Sequence, residues 1–504
     1  MSSIPIKQQR QRTNETRLKI IVVGAGLGGV GAAIALLLAG HEVQIFEAAS
    51  EIAEVGAGIQ VLPNSSRVLQ SWGMKDSLDR YSTKPSRVNM LGWKGNLISH
   101  MDFEESASKY PGTFYWDFHR ANLHQCLLDR AVELGAEIRV RSRVLDVQVH
   151  DTGDSATLIL DNGEEHTADL VVGADGINSH LREIMLGHPD PPQLTGDLAY
   201  RLLLSTKEML KDPELASFVT DPQVNYWLGP DAHAGQSICL PRHPVFVTRI
   251  IRRIVLTMYV LTVNYVLRGG ELFNMVLLVP DDMPAGANTL AGNVDEMRAL
   301  YEGWDPRIPK LLNLCESVYK WRLCIRPGME TWTHPSGAFT LLGDAVHATL
   351  PYLASGAGMA LEDAAVLGEL FGRMADQAAI TSLLHAYGTV LSSRKIEDVL
   401  DLYTHDGVLM APGFAPAVGQ AELGKAYERI FNTIRLEIDF EIDEIVVTED
   451  GTWAFARTTA AGTKYWLQKG SKESHHNQEL FVCQKVDEIW KIARYCFSSM
   501  KPLM

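Results

Sequence analysis

The feature that most constrains this chain lies near its start. Lys19-Ile-Ile-Val-Val23 is followed at once by Gly24-Ala-Gly26-Leu-Gly-Gly29, and then by the alanine- and leucine-rich run Val30 to Leu38. A short β-branched run reads as a buried parallel strand. The three glycines permit a tight turn, let backbone approach a pyrophosphate, and let helix pack on strand. The next strand, Val43-Gln-Ile-Phe-Glu47, ends on an acid 18 residues after Gly29, where a carboxylate accepts hydrogen bonds from ribose hydroxyls. A glycine turn kept for packing would not explain Glu47. The reading is an α/β, Rossmann-like nucleotide domain, and this motif alone does not separate NAD from FAD.

Two later stretches decide between them. One is Asp169-Leu-Val-Val-Gly-Ala-Asp175-Gly176; the other is Gly343-Asp344-Ala345, leading to Pro351-Tyr-Leu-Ala-Ser-Gly356-Ala357-Gly358. Each is common alone; the ordered trio points to FAD. Asp344 follows a buried-looking strand, Phe339 to Leu342, so its carboxylate emerges where α/β sheets collect ligands; a plain helix N-cap is the competing explanation. Gly356 and Gly358 open a helix whose free N–H groups would stabilise negative charge at the edge of a reduced flavin.

Bulk properties narrow the rest. With 504 residues, two or three domains are expected. A net charge of −15 argues against nucleic acid as the main partner. The six cysteines are scattered without a CxxC, so reduced core thiols and no metal site are expected. Residues 1–17 are polar and are read as a disordered tail. Val245 to Thr262 is strongly apolar but holds Arg249, Arg252 and Arg253. Each would cost roughly 2.5–3.5 kcal/mol at the centre of a membrane helix, so no stable membrane span is expected. The expected location is cytoplasmic.

With these motifs in place, Leu18 to about Met374 resembles the single-component FAD-dependent aromatic hydroxylases, in particular the salicylate-hydroxylase-like group. Val55-Gly-Ala-Gly58-Ile-Gln60 is similar to the loop that follows the ribose acid in that family. His119-Arg120-Ala-Asn-Leu-His124 is similar to its conserved helix start. The resemblance implies cofactor contacts from Gly24, Gly26, Gly29, Glu47, Gly58, Arg120, Asp175, Asp344 and Ala357. It implies FAD-binding parts at about 18–85, 111–185 and 325–375, interleaved with a β-sheet substrate part at about 186–324. It further implies NAD(P)H as a transient co-substrate, O2 as oxidant, and hydroxylation of an aromatic or polyketide-derived phenol, with secondary metabolism as the setting. Three residues are catalytic candidates. Arg201 could hold a substrate carboxylate or phenolate, His233 could serve as base for a phenol proton, and Tyr265 is similar to a tyrosine that relatives place beside the substrate. A non-hydroxylating flavin oxidoreductase, or an inactive FAD-binding scaffold, are the rival readings.

The chain departs from the family pattern in one place. Relatives carry the histidine and tyrosine four residues apart, whereas here Gly235 to Thr262 intervenes. Without those 28 residues the text reads His-Ala-Val-Asn-Tyr-Val-Leu-Arg-Gly-Gly, which restores the spacing. Residues 235–262 are therefore read as an insert.

From 376 to 504 the character changes. A helix at Gln420 to Thr433 precedes alternating strands at Leu436–Val447, Thr452–Thr459, Gln478–Lys485 and Trp490–Ser498. This order resembles the SnoaL-like/NTF2-like α+β cone. That resemblance implies either a cyclase- or isomerase-like activity or a module that forms a homodimer. His405, Asp406, Tyr427, His475, His476 and Arg494 are its candidate pocket groups.

Overall fold

The computed structural model describes residues 4–10, 17–52, 58–229, 260–448 and 451–499. The chain divides into two compact units, Met1–Gln9 with Leu18–Gly368, and Arg10–Arg17 with Glu369–Met504.

The first unit is built on two large sheets and a smaller three-stranded one of Val144–Val149, Ala156–Leu160 and Glu165–Ala168. The five-stranded sheet is wholly parallel, in the order Phe339–Leu341, Leu170–Gly173, Lys19–Val23, Glu42–Phe46, Glu137–Arg139. Its central strand explains the sequence run: Ile20, Ile21, Val22 and Val23 are all buried because both faces are covered. The helix Leu27–Leu38 lies against this sheet and is buried along nearly its whole length, which is why it reads as alanine and leucine rather than as an amphipathic stripe. All three fingerprint strands thus end on one edge of one sheet.

The eight-stranded sheet runs Thr289–Gly292, Val318–Ile325, Gln193–Ser205, Leu272–Pro280, Val260–Leu267, Val224–Gly229, Arg87–Gly92, Leu97–Asp102. Neighbours are antiparallel except for Val224–Gly229 against Arg87–Gly92. Antiparallel strands leave one face free to line a site while the other packs on a core. That core gathers Tyr200, Leu202, Trp227, Phe273, Met275 and Tyr301. A two-stranded ribbon, Gly58–Val61 with Trp116–His119, completes the unit around the site.

Two expectations need correction. Residues 4–10 were expected in a loose tail, yet Lys7 N–H donates to Ser71 O at 2.7 Å and Gln9 Nε2 donates to Leu134 O at 3.0 Å. The proposed insert lies mostly outside the described residues, but its last three residues are not extraneous. Val260–Thr262 form the start of the Val260–Leu267 strand and pair with Trp227–Gly229.

The second unit is a six-stranded sheet in the order Ala417–Val418, Tyr403–Met410, Ile489–Ser499, Ser471–Val486, Trp453–Trp466, Ile434–Val447, with the helix Gly419–Thr433. The strands are longer than their sequence signals, because turn residues such as Gly462 continue the ladder instead of breaking it. Inside, three tyrosines meet through their hydroxyls: Tyr427 is 2.8 Å from both Tyr387 and Tyr403. Glu479 accepts from Thr458 at 3.0 Å and Tyr495 at 2.8 Å. Among described residues no helix is long and apolar enough to cross a membrane, and no metal-binding cluster of acidic, histidine or cysteine side chains occurs.

Candidate active site

The turn after the first strand is fixed by backbone geometry. Gly24 has φ +104, and a Cβ on it would lie 2.4 Å from Ala174 O, so a side chain there is excluded twice over. A Cβ on Gly29 would lie 2.0 Å from Gly24 O. Gly26, by contrast, caps the helix Leu27–Leu38 and faces open space. A closed turn, a tight helix and a bare opening at the helix N-terminus form a cradle for phosphate. Glu47 stands beside it. Its carboxylate accepts from Ala25 N–H and Ala49 N–H, each at 2.8 Å.

From this cradle a single cleft runs between the two sheets. Gly26, Gly58, Gln60, Arg120, Ala174, Gly176, Arg201, Tyr226, Tyr265, Asp344 and Ala357 all line it. Gly26, Gly58, Arg120, Arg201, Tyr265, Asp344 and Ala357, all singled out in the sequence, thus meet in one cleft from six separate regions. Arg120 begins the helix Arg120–Glu133. Asp344 is pushed up by the surrounding protein, while Arg120 and then His347 pull it down. The turn that presents it is pinned from the helix beginning at Gly356. Asp363 accepts from Gly343 N–H at 2.9 Å and from His347 Nε2 at 2.7 Å. That bond raises the His347 pKa.

One predicted contact turns out differently. Asp175 does not line the cleft; its carboxylate accepts from Ser179 Oγ at 2.6 Å, His180 N–H at 2.8 Å and Leu181 N–H at 3.1 Å. It caps the helix His180–Leu186, a use that the motif spelling does not distinguish from ligand binding. His233 lies outside the described residues.

Beyond the cradle the cleft becomes a pocket for an aromatic group. Arg201, on the Gln193–Ser205 strand, is half-buried, and its guanidinium lies 5.1 Å from the Trp321 ring centroid. No protein carboxylate or other hydrogen-bond partner meets it among the described residues. Burial, and then Arg120, lower its pKa. Tyr265 faces it, with its pKa raised by burial. Tyr226, which sequence reasoning missed, shares this wall. The available signal was its position beside Trp227 on the Val224–Gly229 strand, seven residues before His233.

The cradle, the donors of Arg120, and the acceptors Glu47 and Asp344 fit a dinucleotide with a polyol chain, and so define a flavoprotein. Comparison with known proteins makes the class definite. Residues 17–259 match the FAD binding domain family, and residues 384–492 match the SnoaL-like domain family. The FAD-dependent monooxygenase OpS4 of Beauveria bassiana (strain ARSEF 2860) is 38% identical over 383 residues, covering 75% of this chain and 82% of that protein. The hispidin-3-hydroxylase of Neonothopanus nambi is 31% identical over 389 residues, covering 75% and 86%. A solved salicylate hydroxylase substrate complex superposes with TM-score 0.56 at 23% identity, covering 83% of this chain and 95% of that one. This chain belongs to the FAD-dependent monooxygenases, with a SnoaL-like domain at its C-terminal side.

Proposed function

We propose that this protein hydroxylates an anionic phenol or related heteroaromatic molecule, using NAD(P)H and O2, in secondary metabolism. The observation that carries this reading is Arg201, a half-buried cation that lines the cleft with no protein anion beside it among the described residues. Such a charge is costly unless a ligand supplies its partner. A substrate carboxylate or phenolate would do so. The Trp321 face beneath the guanidinium holds it in place.

Bound FAD would supply the activation of oxygen. The chain's own residues do the rest. Gly26 and the helix N-terminus would receive the phosphates, Arg120 would add donors to their oxygens, and Glu47 and Asp344 would accept from sugar and ribityl hydroxyls. The N-terminus at Gly356 and Ala357 would face the charge that develops on reduction. Arg201 would orient the substrate, and Tyr265 and Tyr226 would wall it from water. Hydroxybenzoates offered as a panel should stimulate NAD(P)H oxidation by the FAD-loaded protein. Flavin oxidation that yields no hydroxylated product from any of them would remove the proposal.

Residues 235–262 we read as an insertion between the Val224–Gly229 and Val260–Leu267 strands, with its last three residues taking up the start of the second. For the C-terminal unit we propose a dimerising role rather than catalysis. Its interior polar groups are satisfied by one another, and the other candidates are not inside: Arg494 pairs with Asp406 at the surface, at 3.1 Å.

A further inference from the structure

One buried acid stands directly behind the cleft and has no role in the account so far. In the ribbon formed by Gly58–Val61 and Trp116–His119, Gln60 lies opposite Asp117 and Gly58 opposite His119. Gln60 lines the cleft, and its Nε2 donates to Asp117 Oδ1 at 2.9 Å. Asp117 is only 1% exposed, and its Oδ2 has no hydrogen-bond partner among the described residues. No cation pairs with it there. Its electrostatic neighbours are the phenols of Tyr226 and Tyr265. The ribbon lies hard against Tyr265: a Cβ on Gly58 would sit 2.6 Å from the Tyr265 hydroxyl. Tyr265 therefore feels both the Arg201 cation and the Asp117 carboxyl.

We propose that Asp117 is a positioning residue that acts through Gln60 and the Tyr226–Tyr265 wall. As a neutral acid it lets an anionic aromatic molecule settle beside Arg201; as a carboxylate it opposes that anion. This rests on the reading of the cleft as a site for an anionic aromatic.

Burial pushes the Asp117 carboxyl up to about 8, against the pull of the Gln60 amide. The other groups facing it keep their charge across that range. Tyr226 is pushed up to about 12 and Tyr265 higher. His119, on the same face of the ribbon, is pushed down by burial and by Arg268, so it is neutral there. One carboxyl thus changes charge at the back of the cleft over a narrow interval of pH.

The test uses the FAD-loaded protein and benzoate, which is anionic throughout, with benzamide as its neutral control. Binding is read by perturbation of the flavin absorbance between pH 6.5 and 9.5. Benzoate should weaken about tenfold across the Asp117 ionisation, whereas benzamide should not change. Asp117→Asn should make benzoate binding independent of pH in this range. Gln60→Met removes the one bond that favours the carboxylate, and should move the loss of benzoate to higher pH. Infrared difference spectra should show a protonated carboxyl that titrates near pH 8 and vanishes in Asp117→Asn. Absence of that band, failure of benzoate to bind at neutral pH, or an Asp117→Asn profile superposing on the parent would each overturn the proposal. Hydroxylation is read separately with labelled oxygen, so its failure would be distinguishable from failure of the Asp117 assignment.

Discussion

At the scale of single residues, charge without a partner is the most informative feature. Arg201 is the cleft cation set beside Trp321 and Tyr265, and loss of a charged hydrogen bond costs about 1.5–3 kcal/mol. Arg201→Gln should therefore raise KM for a carboxylated phenol by roughly 10- to 150-fold, with a smaller change in kcat. Arg201→Lys should recover only part, because a point charge replaces a planar fork stacked on Trp321. Steady-state kinetics on the two variants would check this; an unchanged KM in both would remove Arg201 from substrate binding. Asp117 makes a separate prediction about stability. Its folded pKa is raised above the ordinary carboxyl value, so the folded chain retains a proton that the unfolded chain releases. Its contribution is present in full below the unfolded pKa and is lost as pH rises through the folded one. Asp117→Asn has no such dependence. Its melting temperature relative to the parent should rise steadily from pH 4 to pH 8 and level off above. A constant difference across that range would mean that Asp117 is ionised in the fold. The family resemblance pointed to Arg201 as a holder of a substrate anion, whereas Asp117 was not singled out in the sequence. Arg201 could as well have been an exposed strand arginine, and nothing in the text marks Asp117 as buried.

At the scale of elements, what could be read in advance were the pieces whose backbone demands a particular residue. Gly24 and Gly29 spelled their turn because no side chain fits there. Gly24→Ala should abolish FAD retention on a sizing column while leaving far-ultraviolet circular dichroism near that of the parent; a fully yellow variant would contradict the role of the turn. Asp175 was legible as a motif but not as a cap, since an acid after a strand serves a ligand or a helix end equally well. The Val260–Leu267 strand carries the other element-level prediction. Side chains alternate across a strand, so positions 261, 263 and 265 share a face, and Val263 and Tyr265 line the cleft. Joining Ala234 to Val263 would put His233 at position 261, opposite Leu228 in the ladder, on the cleft side. A variant lacking 235–262 should therefore fold, hold FAD and show a higher kcat/KM than the full chain, and His233→Asn should reverse that gain only in the shortened variant. A shortened protein that is insoluble or no more active would indicate that the segment is integral to the enzyme.

At the scale of the whole molecule, the two units differ in how openly they present their polar groups. The first gathers residues from Gly26 to Ala360 around an open cleft. The second turns Tyr387, Tyr403, Tyr427 and Glu479 inward upon one another. Its strands and fold were legible from alternation, but its interior was not. Of the candidates the sequence offered, Tyr427 is buried at the centre of the three tyrosines while His405 and Arg494 lie at the rim, and Tyr387 and Tyr403 look like ordinary core. Light scattering should find the full chain dimeric, and a chain ending at Ala375 monomeric and still yellow; a monomeric full chain would remove the dimerising role. The most direct test of the central claim is turnover under 18O-labelled O2, with NAD(P)H and a panel of hydroxybenzoates, read by mass spectrometry of the product. The account predicts one labelled oxygen atom in a hydroxylated ring. Consumption of NAD(P)H with hydrogen peroxide as the sole oxygen product, whichever phenol is supplied, would contradict it.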